Sequence, residues 1–284
     1  MSRYIGAEDK VLTEDDDDVE KVEGEVLFEA QTPYQKICLF VERNGSVSLT
    51  LDKYWQFYGP EEHIYHESLM TVPMLIAKRI KDVVILGGGD GLAVREALRF
   101  QELRKVCLVE LDPSMIRMAR EHPVMRSLNR DALQNKRAEV YAMDAQRFLK
   151  DNRKCFDVIV CDFPDPTSPV IAQLFSKAFY REVAGHLAPG GVVSVQGSSP
   201  SSELDFVTTY VNLASVFPYV RPYAPVMPTM GMAGMFVASD APIKMRRGFP
   251  EGLRFLNKKT MDDMFDRGSA IGKALLSKYD ALLA

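Results

Sequence analysis

Short apolar segments alternate with helical patterns through the middle of the chain, and this alternation constrains the fold more than any other feature. The segments "DVVILGGG", "KVCLVELD", "FDVIVCD" and "PGGVVSVQG" each have the pattern of a buried strand, and amphipathic stretches separate them. Short buried strands that alternate with helices are typical of a parallel sheet covered on both faces. The sequence therefore predicts an α/β fold from about Lys81 onward.

The region before this alternation has a different pattern. Residues 22–58 alternate apolar and polar side chains, and Asn44-Gly45 is a hairpin signal. We therefore expect a small antiparallel β domain over residues 22–60 and an α/β domain over residues 61–284, in which "YVRPYAP" and "GMFVAS" favour an antiparallel pair. The acidic run at residues 14–18 predicts a disordered tail over residues 1–21, because like charges repel one another.

Composition and charge exclude several classes of protein. The chain has 284 residues, of which 46% are hydrophobic and 26% charged, and a net charge of −4. This balance argues against non-specific nucleic-acid binding, which needs a basic surface. No apolar run reaches the roughly 18–20 residues that a membrane helix needs, and the first 20 residues lack the apolar core of a signal peptide. We expect a cytoplasmic protein with no membrane contact.

The cysteines and histidines predict neither disulfides nor a metal site. The four cysteines have no CxxC spacing, and three of them lie in apolar, strand-like segments. Buried reduced thiols are the better interpretation. The four histidines form neither HxxxH nor HExxH, so no metal ligand is assigned.

A glycine loop with an internal acid follows the first predicted strand of the sheet. In open α/β sheets, ligands bind beyond the carboxyl ends of the strands, and the loop there consists of Gly87, Gly88, Gly89, Asp90 and Gly91. Glycines let the backbone approach a ligand closely, although a tight strand–helix turn also explains them. Asp90 would repel a pyrophosphate and would suit a ligand that carries positive charge.

Carboxylates also follow the next three predicted strands, "KVCLV", "AEVYAM" and "FDVIVC". Glu110 lies where an acid commonly accepts hydrogen bonds from ribose hydroxyls, although an exposed carboxylate at a strand end is the simpler alternative. Asp144 is a candidate acceptor for an adenine amino group or, equally, a helix N-cap. Asp162 and Asp165, in "VIVCDFPDP", fit either a binding site or a turn. Four consecutive strands that each deliver a carboxylate to one sheet edge favour a positively charged nucleoside ligand, such as a sulfonium.

The order of these motifs resembles that of the polyamine aminopropyltransferases, the spermidine synthase family. The matching segments include "HIYHESLMTVPM", "VVILGGGDGLAVRE", "LVELD", "FDVIVCDFPDP" and "PTMGMAGMFVAS", over roughly residues 25–265. The resemblance implies a Rossmann-like AdoMet-dependent transferase sheet behind a small N-terminal β domain, assembled as a homodimer or homotetramer. It also implies aminopropyl transfer from decarboxylated S-adenosylmethionine, used as co-substrate without a further cofactor, to a primary amine such as putrescine.

The resemblance also assigns roles to individual residues. Asp162 would be the base and Asp165 the anchor of the acceptor amine. Asp90 would hold the amino group of the transferred chain. The remaining donor-side residues would be Gln35, Gly87, Gly88, Gly89, Glu110, Asp144 and Ala145, and the remaining acceptor-side residues would be Tyr65, His66, Gln56, Gln196 and Met230.

The chain departs from the family pattern on the acceptor side. Phe163 and Pro164 stand where the family usually has small polar residues, and Met230 replaces an aromatic residue. A methionine there either fills an irregular gap or reshapes the pocket for another amine. Two further functions stay open on the same fold, an AdoMet-dependent amine N-methyltransferase and a non-catalytic polyamine or nucleoside-binding protein.

Overall fold

A small antiparallel sheet begins the part of the chain that the computed structural model describes, residues 24–279. The predicted acidic tail lies outside the described residues. The four strands are hydrogen-bonded in sequence order: β1 (Gly24–Gln31), β2 (Lys36–Glu42), β3 (Val47–Leu51) and β4 (Tyr54–Tyr58). The alternating pattern buries one face, where Ile37, Leu39 and Leu49 pack with Met115 and Met118 of the second region. The β unit is therefore attached to the rest of the molecule through a shared apolar core.

A buried helical segment connects this sheet to the α/β region. It consists of α1 (Glu62–His66), a π-helical turn (Glu67–Thr71) and α2 (Val72–Ile76). The helix stops at Ala77, whose backbone turns to ψ 143°. π-Helical turns are frequent at functional sites because they redirect side chains.

The second sheet has seven strands in the order β10-β13-β9-β8-β5-β6-β7. Strands β5 to β9 pair in parallel, and β13 and β10 add an antiparallel edge. Their bounds are β5 (Asp82–Gly87), β6 (Lys105–Glu110), β7 (Ala138–Ala142), β8 (Phe156–Asp162), β9 (Leu187–Gln196), β10 (Tyr219–Tyr223) and β13 (Met235–Ser239); a short hairpin of β11 (Val226–Met227) and β12 (Gly231–Met232) precedes β13.

Helices cover both faces of this sheet. Their bounds are α3 (Leu92–Ala97), α4 (Pro113–Glu121), α5 (Pro123–Asn129), α6 (Ala145–Asp151), α7 (Pro169–Ala172), α8 (Lys177–Gly185), α9 (Glu203–Ala214) and α10 (Lys258–Lys278), with 3₁₀ turns at Ala132–Gln134 and Gln173–Phe175. Val83 and Ile85 of β5 pack into one core, whereas Val84 and Leu86 pack into the other. The continuous apolar strands of the sequence are explained by this burial on both faces.

The predicted α/β architecture with an N-terminal antiparallel sheet is confirmed. The predicted pairing of "YVRPYAP" with "GMFVAS" is confirmed as well, since Tyr219 pairs with Ser239 and Tyr223 with Met235. The four cysteines are free thiols, and only Cys155 is exposed. Within residues 24–279, no helix is both long and apolar enough to span a membrane.

Strand order reverses between β8 and β5, and this reversal locates the crevice. Strands β6 and β7 lie on one side of β5, and β8 and β9 lie on the other. Connections therefore leave in opposite directions at the carboxyl ends of β5 and β8, which opens a ligand-sized gap between them. Gly87 and Asp162 are paired across this gap.

Candidate active site

The glycine loop after β5 packs directly on two strand-end carboxylates. A Cβ on Gly88, whose φ is +67°, would lie 2.7 Å from Oδ2 of Asp162, and one on Gly89 would lie 2.6 Å from Cγ of Glu110. The backbone N–H of Gly89 also donates to Glu110 Oε2 at 3.1 Å. Glycine is therefore required by close approach at both positions, and at Gly88 also by the left-handed backbone conformation.

Asp162, at the end of β8, is held by the hydroxyl of Tyr65 from α1. Tyr65 Oη donates to Asp162 Oδ1 at 2.7 Å. Burial and the nearby charge of Asp90 raise the pKa of Asp162 to about 6, although His66 and the Tyr65 hydrogen bond partly oppose the rise. A carboxylate with a pKa close to neutrality can accept a proton and release it again under physiological conditions.

His66 lies between two carboxylates in the buried part of the site. Its Nδ1 is 2.7 Å from the carbonyl oxygen of Glu62 and 3.1 Å from Glu62 Oε2, and its Nε2 is 3.7 Å from Asp90 Oδ2. Burial alone would lower the pKa of His66, but Asp90 and Glu62 outweigh it and raise that pKa to about 10. The ring is therefore an imidazolium at neutral pH, and its charge offsets that of the neighbouring acids.

A second ion pair holds Glu62 in place behind His66. Arg95 on α3 donates from Nη1 and Nη2 to the two carboxylate oxygens of Glu62, both at 2.9 Å, and from Nε to Glu96 at 2.6 Å. Burial would raise the pKa of Glu62, but His66 and Arg95 lower it to about 2. The sequence analysis missed this pair, whose members are 33 residues apart; only the adjoining contact of Glu62 with His66, four residues apart on a helix, has a sequence signal.

Glu110, a predicted donor-side residue, lies beside Asp112, the N-cap of α4, at the carboxyl end of β6. Burial and the charges of Asp112 and Asp90 raise the pKa of Glu110 to about 7, although the N–H groups of Asp112 and Gly89 oppose this rise. Gln35, from the N-terminal sheet, donates to Asp112 Oδ2 at 3.3 Å. Gln35 is thus brought to the carboxyl end of β6, next to Glu110.

Asp144 and Ala145 begin helix α6 at the end of β7. The side chain of Asp144 is the N-cap and accepts from Arg147 N at 2.8 Å, while Ala145 is buried as the first helical residue. The N-cap alternative is therefore realised. The remaining carboxylate oxygen lies at the exposed sheet edge, so a role in ligand binding is compatible with the cap.

The residues predicted for the acceptor side are brought together only in part. Gln196 at the end of β9 donates to Asp165 Oδ1 at 2.7 Å, and Asp165 itself is exposed. The backbone N–H of Met230 lies 3.4 Å from Glu61 Oε2, which ties the loop after β11 to the start of α1. Gln56, on β4, donates to Tyr54 O at 3.3 Å, and no hydrogen bond among the described residues joins it to the other acceptor candidates.

The unusual Phe163 belongs to the core. Its ring is 8% exposed and packs edge-on against Phe175 and Phe179. The side chain therefore points away from the carboxylates on either side of it, while Pro164 is exposed. The departure at Phe163 changes the support beneath the loop and does not place an aromatic ring in the amine site.

An apolar cavity of about 550 Å³ lies beside the Met230 loop. Its walls come from the segment after β9, from the β11–β12 hairpin and from α10, and consist of Ser199, Pro200, Ser201, Met230, Gly231, Met232, Ile271, Ala274 and Leu275. Met230 therefore borders an open space that a larger side chain would fill.

Within residues 24–279, no three His, Cys, Asp or Glu side chains are grouped so as to hold a metal ion.

Comparison with known proteins identifies the class to which this fold and site belong. A family model described as "Spermine/spermidine synthase domain" matches residues 62–245. The chain therefore belongs to the spermine/spermidine synthase family, as the sequence motifs predicted.

The similar proteins agree on the family. A polyamine aminopropyltransferase from Leptospira interrogans is 32% identical over 241 residues, which is 84% of this chain and 48% of that protein. One from Oceanobacillus iheyensis is 34% identical over 87% of this chain and 48% of that protein. The chain thus spans about half the length of the curated relatives that it matches.

Solved structures show the same fold over nearly the whole chain. A spermidine synthase in complex with the transition-state analogue AdoDATO has a TM-score of 0.82 and 28% identity, over 90% of this chain and 89% of that one. The spermidine synthase from Thermotoga maritima has a TM-score of 0.80 and 28% identity, over 90% of this chain and 88% of that one.

Proposed function

We propose that this chain is a polyamine aminopropyltransferase. It would transfer the aminopropyl group of decarboxylated S-adenosylmethionine to a primary amine, with putrescine as the first candidate, and give spermidine and methylthioadenosine. The observation that carries this proposal is the partly buried Asp162, oriented by Tyr65 and set beside Asp90 and the imidazolium of His66.

The chemistry needs a base because the acceptor starts as an ammonium. An aliphatic ammonium has a pKa near 10.4 and cannot attack while protonated. In the proposed step the amine nitrogen forms a bond to the propyl carbon next to sulfur, and the C–S bond breaks. The electron pair stays on sulfur, which becomes a neutral thioether, and Asp162 takes the proton that the nitrogen gives up.

The donor side supplies negative charge for a sulfonium nucleoside. Glu110 would accept hydrogen bonds from the ribose hydroxyls, Asp144 and Ala145 would face the adenine edge, and Gln35 would lie near the sulfur. Gly87, Gly88 and Gly89 would let the nucleoside approach the backbone.

Asp90 favours the decarboxylated donor over the intact one. It is 8% exposed and would pair with the terminal ammonium of the aminopropyl chain. The carboxylate of intact S-adenosylmethionine would face a like charge in a partly dehydrated contact, which discriminates against it.

Asp165 would anchor the far ammonium of the acceptor, with Gln196 fixing its carboxylate at 2.7 Å. The cavity beside Met230 offers space for acceptors other than putrescine.

A product assay tests the reaction. The purified chain is incubated with decarboxylated or intact S-adenosylmethionine and with putrescine, cadaverine, agmatine or spermidine, and the products are identified by mass spectrometry. We expect methylthioadenosine and an aminopropylated amine from the decarboxylated donor. S-Adenosylhomocysteine from the intact donor would indicate an N-methyltransferase, and the absence of any nucleoside product would indicate a binding protein.

The variant Asp162→Asn separates catalysis from binding. We expect it to lose turnover and to keep its affinity for the nucleoside, because the amide preserves the shape of the side chain but cannot take a proton. Full turnover in this variant would refute the role of Asp162 as base.

A further inference from the structure

A second, smaller cavity lies behind the candidate active site, on the far side of the Arg95–Glu62 pair. Its volume is about 150 Å³. Four arginines line it: Arg95 and Arg99 from the α3 region, Arg130 from the end of α5, and Arg254 from the segment before α10. The concentration of guanidinium groups is unexpected in a chain whose net charge is −4.

The four arginines differ in how far their charge is compensated. Arg95 is paired with Glu62 and Glu96, and Arg99 is paired with Glu96. Within residues 24–279, neither Arg130 nor Arg254 has an ion pair or a side-chain hydrogen bond. In this part of the chain, the four guanidinium groups therefore have only two carboxylate partners, Glu62 and Glu96. Arg130 and Arg254 each have all five N–H donors available.

Glu62, Leu128 and two neutral polar side chains complete the lining. Ser127 is exposed at the wall of the cavity and offers a hydroxyl. His63 Nδ1 is buried and has no hydrogen-bond partner. Burial and the charge of Arg254 lower the pKa of His63, so the ring is neutral and can donate from one nitrogen.

We propose that this cavity, whose lining sets four arginines, Ser127 and His63 against the single carboxylate of Glu62, is a binding site for a phosphate-class oxyanion. Planar guanidinium groups match the oxygens of phosphate in pairs of parallel hydrogen bonds. The volume suits one oxyanion or the phosphate end of a larger molecule, and it is too small for a nucleoside, whose sites measure roughly 300 Å³ or more. The surplus of positive charge gives the site its selectivity for anions.

The site is distinct from the predicted donor and acceptor sites. Within residues 24–279, the side chains of Arg130 and Arg254 form no hydrogen bond or ion pair with the residues assigned to those sites. Arg95 and Glu62 both line the cavity, and the Glu62 carboxylate is paired with both Arg95 and His66. Binding of an anion is therefore measurable without any assumption about the reaction.

A calorimetric titration of the chain with inorganic phosphate at constant ionic strength tests the proposal. We expect one saturable site in the wild type. The double variant R130A/R254A should bind at least tenfold more weakly, because each charge-assisted contact contributes roughly a factor of ten. Both side chains are exposed and unpaired, so the variant should unfold at the wild-type temperature.

A matched control removes the same charge elsewhere. R147A/R153A deletes two exposed arginines outside the cavity and should leave phosphate affinity unchanged. Equal affinity in R130A/R254A and the wild type, or an equal loss in both double variants, would overturn the proposal, as would the absence of saturable binding. Parallel titrations with sulfate and with glycerol 3-phosphate distinguish a free oxyanion from the phosphate end of a larger molecule.

Discussion

Tyr65 and Asp162, which are 97 positions apart in the sequence, are joined by a 2.7 Å hydrogen bond from the phenol to the carboxylate. The bond connects the short helix α1 to the end of the central strand β8. Burial raises the pKa of Tyr65 well above its ordinary value, and Asp162 adds to the rise, so the phenol keeps its proton and acts only as a donor. Tyr65 therefore both orients the candidate base and favours its ionised form.

Replacement of Tyr65 by phenylalanine should move the acid limb of the pH–rate profile to higher pH. The pKa of Asp162 is about 6, so turnover should fall as the pH drops through that value. Loss of a hydrogen bond to the ionised carboxylate, worth roughly 1.5 kcal/mol, raises this pKa by about one unit. The measurement is kcat/KM from pH 5 to pH 9.

The control for this prediction is Tyr58→Phe. Tyr58 lies in the N-terminal sheet, where its hydroxyl accepts hydrogen bonds from Asn44 and Ser46. This variant should keep the wild-type acid limb. An unmoved limb in Tyr65→Phe would show that the hydrogen bond does not set the pKa of the base.

Substitution of Gly89 by alanine should weaken nucleoside binding without unfolding the chain. The new Cβ would lie 2.7 Å from Glu110 Oε2, so the Glu110 side chain must shift away from the position in which it accepts from Gly89 N. A loss of about 1.5–3 kcal/mol, the range for one hydrogen bond to a charged group, corresponds to a rise of roughly 10- to 150-fold in the dissociation constant for methylthioadenosine.

Gly248→Ala is the matched control, because nothing lies within 4 Å of a Cβ at that position. Calorimetry with methylthioadenosine should give the wild-type affinity for this variant. If Gly89→Ala bound the nucleoside as tightly as Gly248→Ala, the donor site would have to lie elsewhere.

The variant Glu62→Gln should destabilise the fold strongly, since it leaves Arg95 and the His66 imidazolium buried beside a neutral amide. Removal of one partner from a buried ion pair costs about 3 kcal/mol. The folded-state pKa of Glu62 is lowered to about 2, so its contribution is complete above the unfolded value of 4.5 and is lost as the pH falls toward 2. The difference in unfolding free energy between wild type and variant should therefore shrink below pH 4.5.

Denaturant unfolding from pH 2.5 to pH 7 measures this difference. Glu203→Gln is the control, because Glu203 pairs with Lys278 at an exposed site, where an ion pair contributes little. A Glu62→Gln protein as stable at pH 7 as the control would contradict the role of this network.

The sequence predicted the strands and the acids at their ends because both are local features. A buried strand needs a continuous apolar run, and the carboxyl ends of parallel strands meet at one edge, so Asp90, Glu110 and Asp162 could be assigned to that edge without coordinates. The N-cap role of Asp144 was one of two predicted alternatives for the same reason.

The supporting contacts were not predictable because they join distant segments. Glu62 and Arg95 are 33 residues apart, and nothing in either segment indicates the other as its partner. The family pattern put Phe163 on the acceptor side, but its ring turns into the core formed with Phe175 and Phe179. Which face a loop residue presents depends on packing that a single sequence does not record.

Glu61 is another such contact, and it supports the last prediction. Its carboxylate accepts backbone N–H groups from Thr229, at 2.9 and 3.0 Å, and from Met230, at 3.4 Å, and it is 8% exposed. It thereby fixes the loop of Met230 against the helix that carries Tyr65 and His66. Glu61→Gln retains one acceptor oxygen and should loosen this loop.

Under the proposed function, this variant should raise KM for the amine about five- to tenfold, the effect of one lost hydrogen bond of roughly 1–1.5 kcal/mol. The affinity for methylthioadenosine should not change. Glu67→Gln is the matched control, since Glu67 accepts N–H groups in the same way from Arg254, Phe255 and Leu256, but on a different loop. It should lower the free energy of unfolding and leave KM for the amine unaltered. KM is measured by steady-state kinetics in which the amine concentration is varied at saturating donor. Equal KM values in the two variants would show that the Met230 loop takes no part in acceptor binding.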